Sequence, residues 1–337
     1  RSETLMMTVP HAKSTDEFRP EPDDAIHVFE QVGDDAALAT VWTQLAEIEW
    51  MPCRYDRAEI AAGRAIDHAR RSGDERLLTN ALLTSIKARM SGSTTPEEGI
   101  RGLDDLRDDL SRSRQMDALA LVARAFHLSM GGRFREARRM IGLADAAVQA
   151  LGLQIWRAFL LENLGYIELY AGDVAAAERA FREDYDILDE LGDEGHKSTA
   201  AANLALALCA IGRFEEAEPL AEIAVRVAAE DDLASQTSGR SARALVLAAR
   251  GELVEAERLA REAVDLYAYA ENLNSQADVF LDLGKVQRMA GNTEDAARAA
   301  REALTLYERK GNQPAAASTR AFIDELGQHR FDNSGTS

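Results

Sequence analysis

The chain has 337 residues, 46% of them hydrophobic and only 6% aromatic, with 39 Lys or Arg against 58 Asp or Glu for a net charge of −19. That balance argues against nucleic acid as a partner, because a phosphate backbone needs a cationic footprint, and no apolar run reaches the roughly 18 residues a membrane-spanning helix requires. The two cysteines, Cys53 and Cys209, lie far apart with no CxxC neighbour, which excludes a disulfide framework.

Residues 1–22 carry no helical period, and Pro10, Pro20 and Pro22 break any helix there, so the segment reads as a linker. The first residue is Arg1 and not Met, and the chain is expected to be part of something longer. A half-repeat helix over 23–34 follows, with Pro22 in its first turn.

From residue 35 to 313 one phrase recurs. It reads IGRFEEAEPLAEIAV at 211–225, RGELVEAERLAREAV at 250–264 and AGNTEDAARAAREAL at 290–304. A turn glycine opens it, and small residues spaced three and four apart then line one helical face. One small position recurs as Ala25, Ala65, Leu106, Ala144, Asp184, Ala224, Ala263 and Ala303, at intervals of 38 to 41 residues. A period held that closely marks stacked helical hairpins. Gly33, Gly73, Gly152, Gly192 and Gly311 each fall eight residues after such a position and suit a left-handed helix cap.

The spacing predicts seven hairpins, with A helices over 36–50, 76–90, 117–130, 156–170, 196–210, 236–249 and 275–289. The B helices are expected to start near 55, 95, 134, 174, 214, 253 and 293. The second hairpin departs from the pattern: its turn, SGSTTPEEG (91–99), is longer and lacks the aromatic. Its LDDLRDDL run (103–110) lacks the alternating ligands and glycine of a calcium loop and reads as helix with Leu103, Leu106 and Leu110 inward. Pro219 falls about one turn into its helix, where its cost is small. A capping helix is expected over 314–329 and a disordered polar tail over 330–337.

These residues resemble the tetratricopeptide repeat in a version of about 40 residues. Leu164-Gly165 and Leu283-Gly284 match the end of the family's first helix. Gly132, Gly172, Gly212, Gly251 and Gly291 match the turn, and Ala137, Ala177, Ala217, Ala256 and Ala296 match the second helix. The phrase EEAEPLAEIAV is similar to kinesin-light-chain-type repeats. The tyrosine of the family's signature is missing from most units, and the glycine cap stands where the standard repeat ends in proline. The implied fold is all-α, a right-handed superhelix (α-solenoid) whose A helices line a concave groove. The stretch from Ala25 to Glu59 is also similar to the C-terminal repeat arrays of bacterial signalling proteins that carry a cyclase or transcription-regulator domain and an ATPase domain.

Chemistry for catalysis is sought without result: no nucleotide, metal or nucleophile motif appears, and no cofactor or metal is expected. The groove is the remaining candidate. Asn163 and Asn203 share one A-helix position, nine before Gly172 and Gly212, and the resemblance implies that an amide there contacts a peptide backbone. Phe159, Glu162, Tyr166, Tyr170, Thr199, Phe126 and Met130 fall on the same expected face, with Glu47 and Trp50 in the first hairpin. Residues 162–232 hold 18 acidic against 5 basic residues, so a basic partner would be attracted.

The expected function is therefore non-catalytic and cytoplasmic: the regulatory part of a larger bacterial signalling protein, holding a protein, a peptide or its own effector domain in the groove. The alternative is a structural scaffold that self-associates as a homodimer through an apolar end at Ile26 and Phe29.

Overall fold

The computed structural model describes residues 20–334, and every regular element among them is a helix. A short helix α1 (Pro20–Val32) caps the array. The first three hairpins are α2 (Asp35–Trp50) with α3 (Tyr55–Ser72), α4 (Glu75–Ser91) with α5 (Pro96–Asp105) and α6 (Arg107–Leu110), and α7 (Arg114–Met130) with α8 (Phe134–Leu151). Then come α9 (Gln154–Tyr170) with α10 (Val174–Leu191), and α11 (Glu194–Ala210) with α12 (Phe214–Val227). The last two are α13 (Leu233–Ala249) with α14 (Leu253–Tyr267), and α15 (Leu273–Met289) with α16 (Thr293–Lys310), closed by α17 (Gln313–Ser334). No helix among the described residues is long and apolar enough to cross a membrane.

Two local devices set these boundaries. Each A helix except α9 begins at a side-chain cap, for example Asp74 accepting from Arg76 N at 2.9 Å and Asp193 accepting from His196 N at 3.0 Å. Where a glycine precedes the cap, as Gly73 (φ 72°) and Gly192 (φ 68°) do, it takes the left-handed conformation that ends the helix before it. In the first hairpin Cys53, with φ 56°, takes the left-handed place that glycine holds in five of the other A–B turns.

Packing follows the small-residue register. The fourth residue of each unbroken B helix, among them Ala58, Ala137, Ala177, Ala217, Ala256 and Ala296, is fully buried. So are Ala65, Ala144, Ala224, Ala263 and Ala303 seven positions further on, where α10 places Asp184 instead. Ala217→Leu is therefore expected to overpack the fifth hairpin and lower stability by about 1–2 kcal/mol in urea denaturation, and unchanged unfolding would show that this face is not a packing face.

The structure differs from expectation at four places. The second B helix starts at Pro96 with a capping box between Thr95 and Glu98, so the turn is only 92–95. That helix breaks at Leu106, and Leu106 is half-buried while Leu103 and Leu110 are buried. The last helix runs to Ser334, past the expected end at 329; the final three residues, and the linker apart from Pro20, Glu21 and Pro22 in the first turn of α1, lie outside the described residues. Ile26 is buried and Phe29 packs into the same core, so the apolar end expected for a dimer is covered by the first hairpin.

The superhelix closes on itself. Glu271, in the turn before α15, donates its N–H to Cys53 O at 2.9 Å, and its carboxylate accepts from Asp56 N at 2.7 Å. Cys53, Tyr55, Tyr267 and Ala270 form one apolar cluster across this seam. Further along it, the wholly buried Lys310 donates to the carbonyls of Gly92 at 2.5 Å and Thr94 at 2.8 Å, with Met90 O at 3.3 Å. Asn274 reaches Met130 Sδ at 3.4 Å. Residues more than 200 positions apart thus meet, and the concave faces of the A helices surround one narrow interior, the lumen.

Candidate binding lumen

The A helices present a repeated stripe to the lumen. The position twelve residues after each A helix begins carries Glu47, Lys87, Phe126, Tyr166, Leu206, Leu245 and Lys285 in hairpin order. Positions five, eight and sixteen complete the stripe, because steps of three and four stay on one helical face. In α9 they are Phe159, Glu162 and Tyr170. Glu47, Lys87, Glu162, Tyr166, Tyr170, Asp278 and Lys285 all keep part of their surface accessible, as a narrow lumen requires.

The wall is polar and charged. Tyr166 donates its hydroxyl to Asn203 Oδ1 at 2.9 Å and packs edge-on against Phe181. Phe181 is itself seated in the space where a Cβ on Gly165 would stand. Lys87 lies over the rings of Trp50 and Phe159, with Nζ 4.8 and 6.0 Å from the centroids. Burial lowers its pKa against the pull of Glu162 and Glu47. Burial raises Glu162, opposed by His196, Lys87 and Asn203. Across the lumen Asp278 accepts from the Tyr307 hydroxyl, and burial pushes Asp278 up to about 6. Lys285 pairs with Asp282 at 2.7 Å; burial opposes its charge, but the two aspartates outweigh it and its pKa rises.

The expected site residues fall into three groups. Glu162, Tyr166, Tyr170, Phe159 and Asn203 come together on α9 and α11. Asn203 is 5% exposed, and its amide stands beside the Glu162 carboxylate, whose charged form it favours. Asn163 is equally buried, but its amide donates to Phe159 O at 2.8 Å, a bond to its own helix. Thr199 bonds Ser235 across α11 and α13 at 2.8 Å, and Phe126 and Met130 are packed into the core, Met130 completely. Sequence reasoning missed Lys87, Asp278, Lys285, Tyr307 and Lys310. A signal existed: the chain has only 5 lysines among its 39 basic residues, and three of them line the lumen or seam.

Glu47 gives this wall a pH signature. Burial raises its pKa to about 7 from an ordinary 4.5, against the attraction of Lys87. A carboxyl with a raised folded pKa stabilises the fold while protonated in the folded state. That contribution is complete below 4.5 and is lost as pH climbs toward 7. Glu47→Gln should match wild type near pH 4 and exceed it by about 1 kcal/mol at pH 8, the figure allowing for partial exposure. Equal stabilities at pH 8 in chemical denaturation would contradict the buried placement of Glu47.

Helical hairpins packed in register around a lumen define the class: an all-α solenoid. Tetratricopeptide-repeat family models match residues 198–230 and 237–309. Those stretches are tetratricopeptide repeats, and the described chain as a whole has the all-α superhelical fold of such repeats. Its fold is similar to the crystal structure of a Rap protein complexed with Competence and Sporulation Factor, at 18% identity and TM-score 0.67, over 82% of this chain and 77% of that one. It is also similar to the apo form of the quorum sensor NprR from B. thuringiensis, at 12% identity and TM-score 0.53, over 90% and 82% of the two chains. A third similar fold is that of the APC/C hetero-tetramer Cut9-Hcn1, at 13% identity and TM-score 0.62, where 94% of this chain covers 53% of the other. No curated protein matches the sequence.

Proposed function

We propose that this chain is a non-catalytic binding module that holds a peptide, or an extended segment of a partner protein, in its lumen. The observation that carries the reading is the Asn203 amide. It is 5% exposed and sits between the Tyr166 hydroxyl, which its oxygen accepts, and the partly accessible carboxylate of Glu162, whose charge its amide favours. A peptide backbone meeting this group would exchange hydrogen bonds with an amide that both donates and accepts. The Rap structure, complexed with Competence and Sporulation Factor, and NprR, a quorum sensor, are similar folds with named signalling ligands or roles, which supports the direction of the proposal. On this reading the chain is the regulatory part of a bacterial signalling protein, acting in the cytoplasm.

Panning the full chain against a phage library of random peptides tests this. Selected peptides are expected to lose at least about tenfold in affinity for Asn203→Ala, the equivalent of about 1.4 kcal/mol, with the melting temperature held within a few degrees. Peptides that bind wild type, Asn203→Ala and Tyr166→Ala equally would place the binding surface outside the lumen.

A further inference from the structure

We propose that the ring is gated at its seam: the first two hairpins part from the last two along the line from Glu271 to Lys310, and the ligand enters the lumen sideways before the seam closes over it. This rests on the lumen being the binding site. The first observation is a broken register. Lys310 is the last residue of its B helix, and Leu151 and Leu191 hold the same place in α8 and α10, where both are exposed. The repeat itself leaves this position on the surface. Lys310 is wholly buried because the turn before α5 covers it.

That turn is shaped to receive it. Residues 92–95 are tied to α3, with Ser93 donating its N–H to Asp56 Oδ1 at 2.9 Å and Thr94 its hydroxyl to Glu59 Oε2 at 3.1 Å. A Cβ on Gly92 would stand 2.6 Å from Asp56 Oδ1, a clash that glycine avoids. The N–H of Asp56, in the first turn of α3, has no carbonyl of its own helix to reach and donates to Glu271 across the seam. Glu271, Asp56, the 92–95 turn and Lys310 thus form one polar line between the two ends of the array.

Such a line can part without unfolding a hairpin. The hairpins themselves are sealed by alanines such as Ala217 and Ala224, whose packing water cannot replace. Along the seam most bonds are polar, and water takes over each partner when the two sides separate. Burial opposes the charge on Lys310, so the ammonium regains hydration on opening.

The second observation is the state of the site in the closed ring. Asn203 is 5% exposed, and its oxygen already accepts from the Tyr166 hydroxyl. Asn312, whose amide donates to Asn274 Oδ1 at 3.1 Å, also stands at the Tyr170 hydroxyl of α9, so the end of the seventh hairpin meets the wall of the fourth. A peptide backbone reaches Asn203 only when this interior widens. In a solenoid small rotations between neighbouring hairpins add up, so release of the one closure widens the lumen while every hairpin stays folded.

Stopped-flow binding of a fluorescein-labelled selected peptide to the full chain is the test. Opening limits entry, so the observed association rate should level off as peptide concentration rises. Lys310→Met should raise that ceiling by at least about tenfold, and Glu271→Ala, which removes one acceptor and keeps the ammonium, by at least about threefold. Glu271→Ala is the milder change and carries the comparison if Lys310→Met folds poorly. A ceiling that neither variant moves, or rates that climb linearly and equally in all three proteins, would overturn the gate. The lumen reading would then stand as long as the peptide still loses affinity for Asn203→Ala. Peptides indifferent to Asn203→Ala, or selection of none, would overturn both.

Discussion

Lys310→Met is expected to lower the free energy of unfolding by about 3–5 kcal/mol and to open the ring. The substitution keeps a flexible stem of similar length and removes the ammonium. Three backbone carbonyls, of Met90, Gly92 and Thr94, then lose their donor at a position with no water access. The replaced group is itself under tension. Burial lowers the Lys310 pKa to about 8, opposed by Asp56, Glu59 and Glu98. A lysine with a depressed folded pKa binds its proton less tightly in the folded state than in the unfolded one. Its contribution therefore grows as pH rises from about 8 toward its ordinary 10.5, as far as this group alone decides. At the seam the first two hairpins meet the last two directly, so its loss should act on shape as well as stability. Small-angle scattering should show a larger radius of gyration for Lys310→Met, and urea denaturation should show a lower midpoint. A variant with wild-type midpoint and radius would mean that Lys310 does not hold the ends together.

Asp184→Ala is expected to stabilise the chain by about 2–3 kcal/mol at pH 8, an unusual sign for a substitution at a buried site. Burial is the main cause of the raised Asp184 pKa, and Glu162 adds to it. The sign of the pH dependence follows. With its folded pKa above the ordinary 3.8, the acid contributes most while protonated, and that contribution is lost as pH rises. The advantage of alanine should therefore be small near pH 4 and should grow toward pH 8. Thermal unfolding at the two pH values checks it. A destabilised Asp184→Ala at pH 8 would show that the carboxyl is already satisfied within the fold.

Local rules made most of the helices legible. The expected B-helix starts at 134, 174, 214, 253 and 293 coincide with α8, α10, α12, α14 and α16. Glycine and Asp or Asn act at short range, so a single hairpin's sequence suffices to place its ends. The break at Leu106 was not legible, because the leucine spacing continues across it. Ring closure was not legible either. It depends on small rotations accumulated over seven hairpins, and its contacts, such as Glu271 with Asp56, join positions 215 apart. Without closure, Lys87 and Lys285 are surface lysines on two distant helices; with it, they face one lumen. The groove stripe was readable because positions five, eight, nine, twelve and sixteen of an A helix share a face. What periodicity does not decide is what each side chain bonds to. Asn163 and Asn203 occupy the same register, yet one amide is used on its own helix and the other accepts from Tyr166 and favours the Glu162 charge. Asp184 stood in the alanine register of the sequence itself, and only the fold shows that it lies near Glu162.

The central claim is that ligand is held inside the ring. The most direct measurement is photo-crosslinking of the full chain with a selected peptide carrying a diazirine, followed by mass-spectrometric mapping. Adducts on α9 and α11, around Glu162, Tyr166 and Asn203, are the predicted result. Adducts confined to the outward faces of the B helices, with none on α9 or α11, would contradict it.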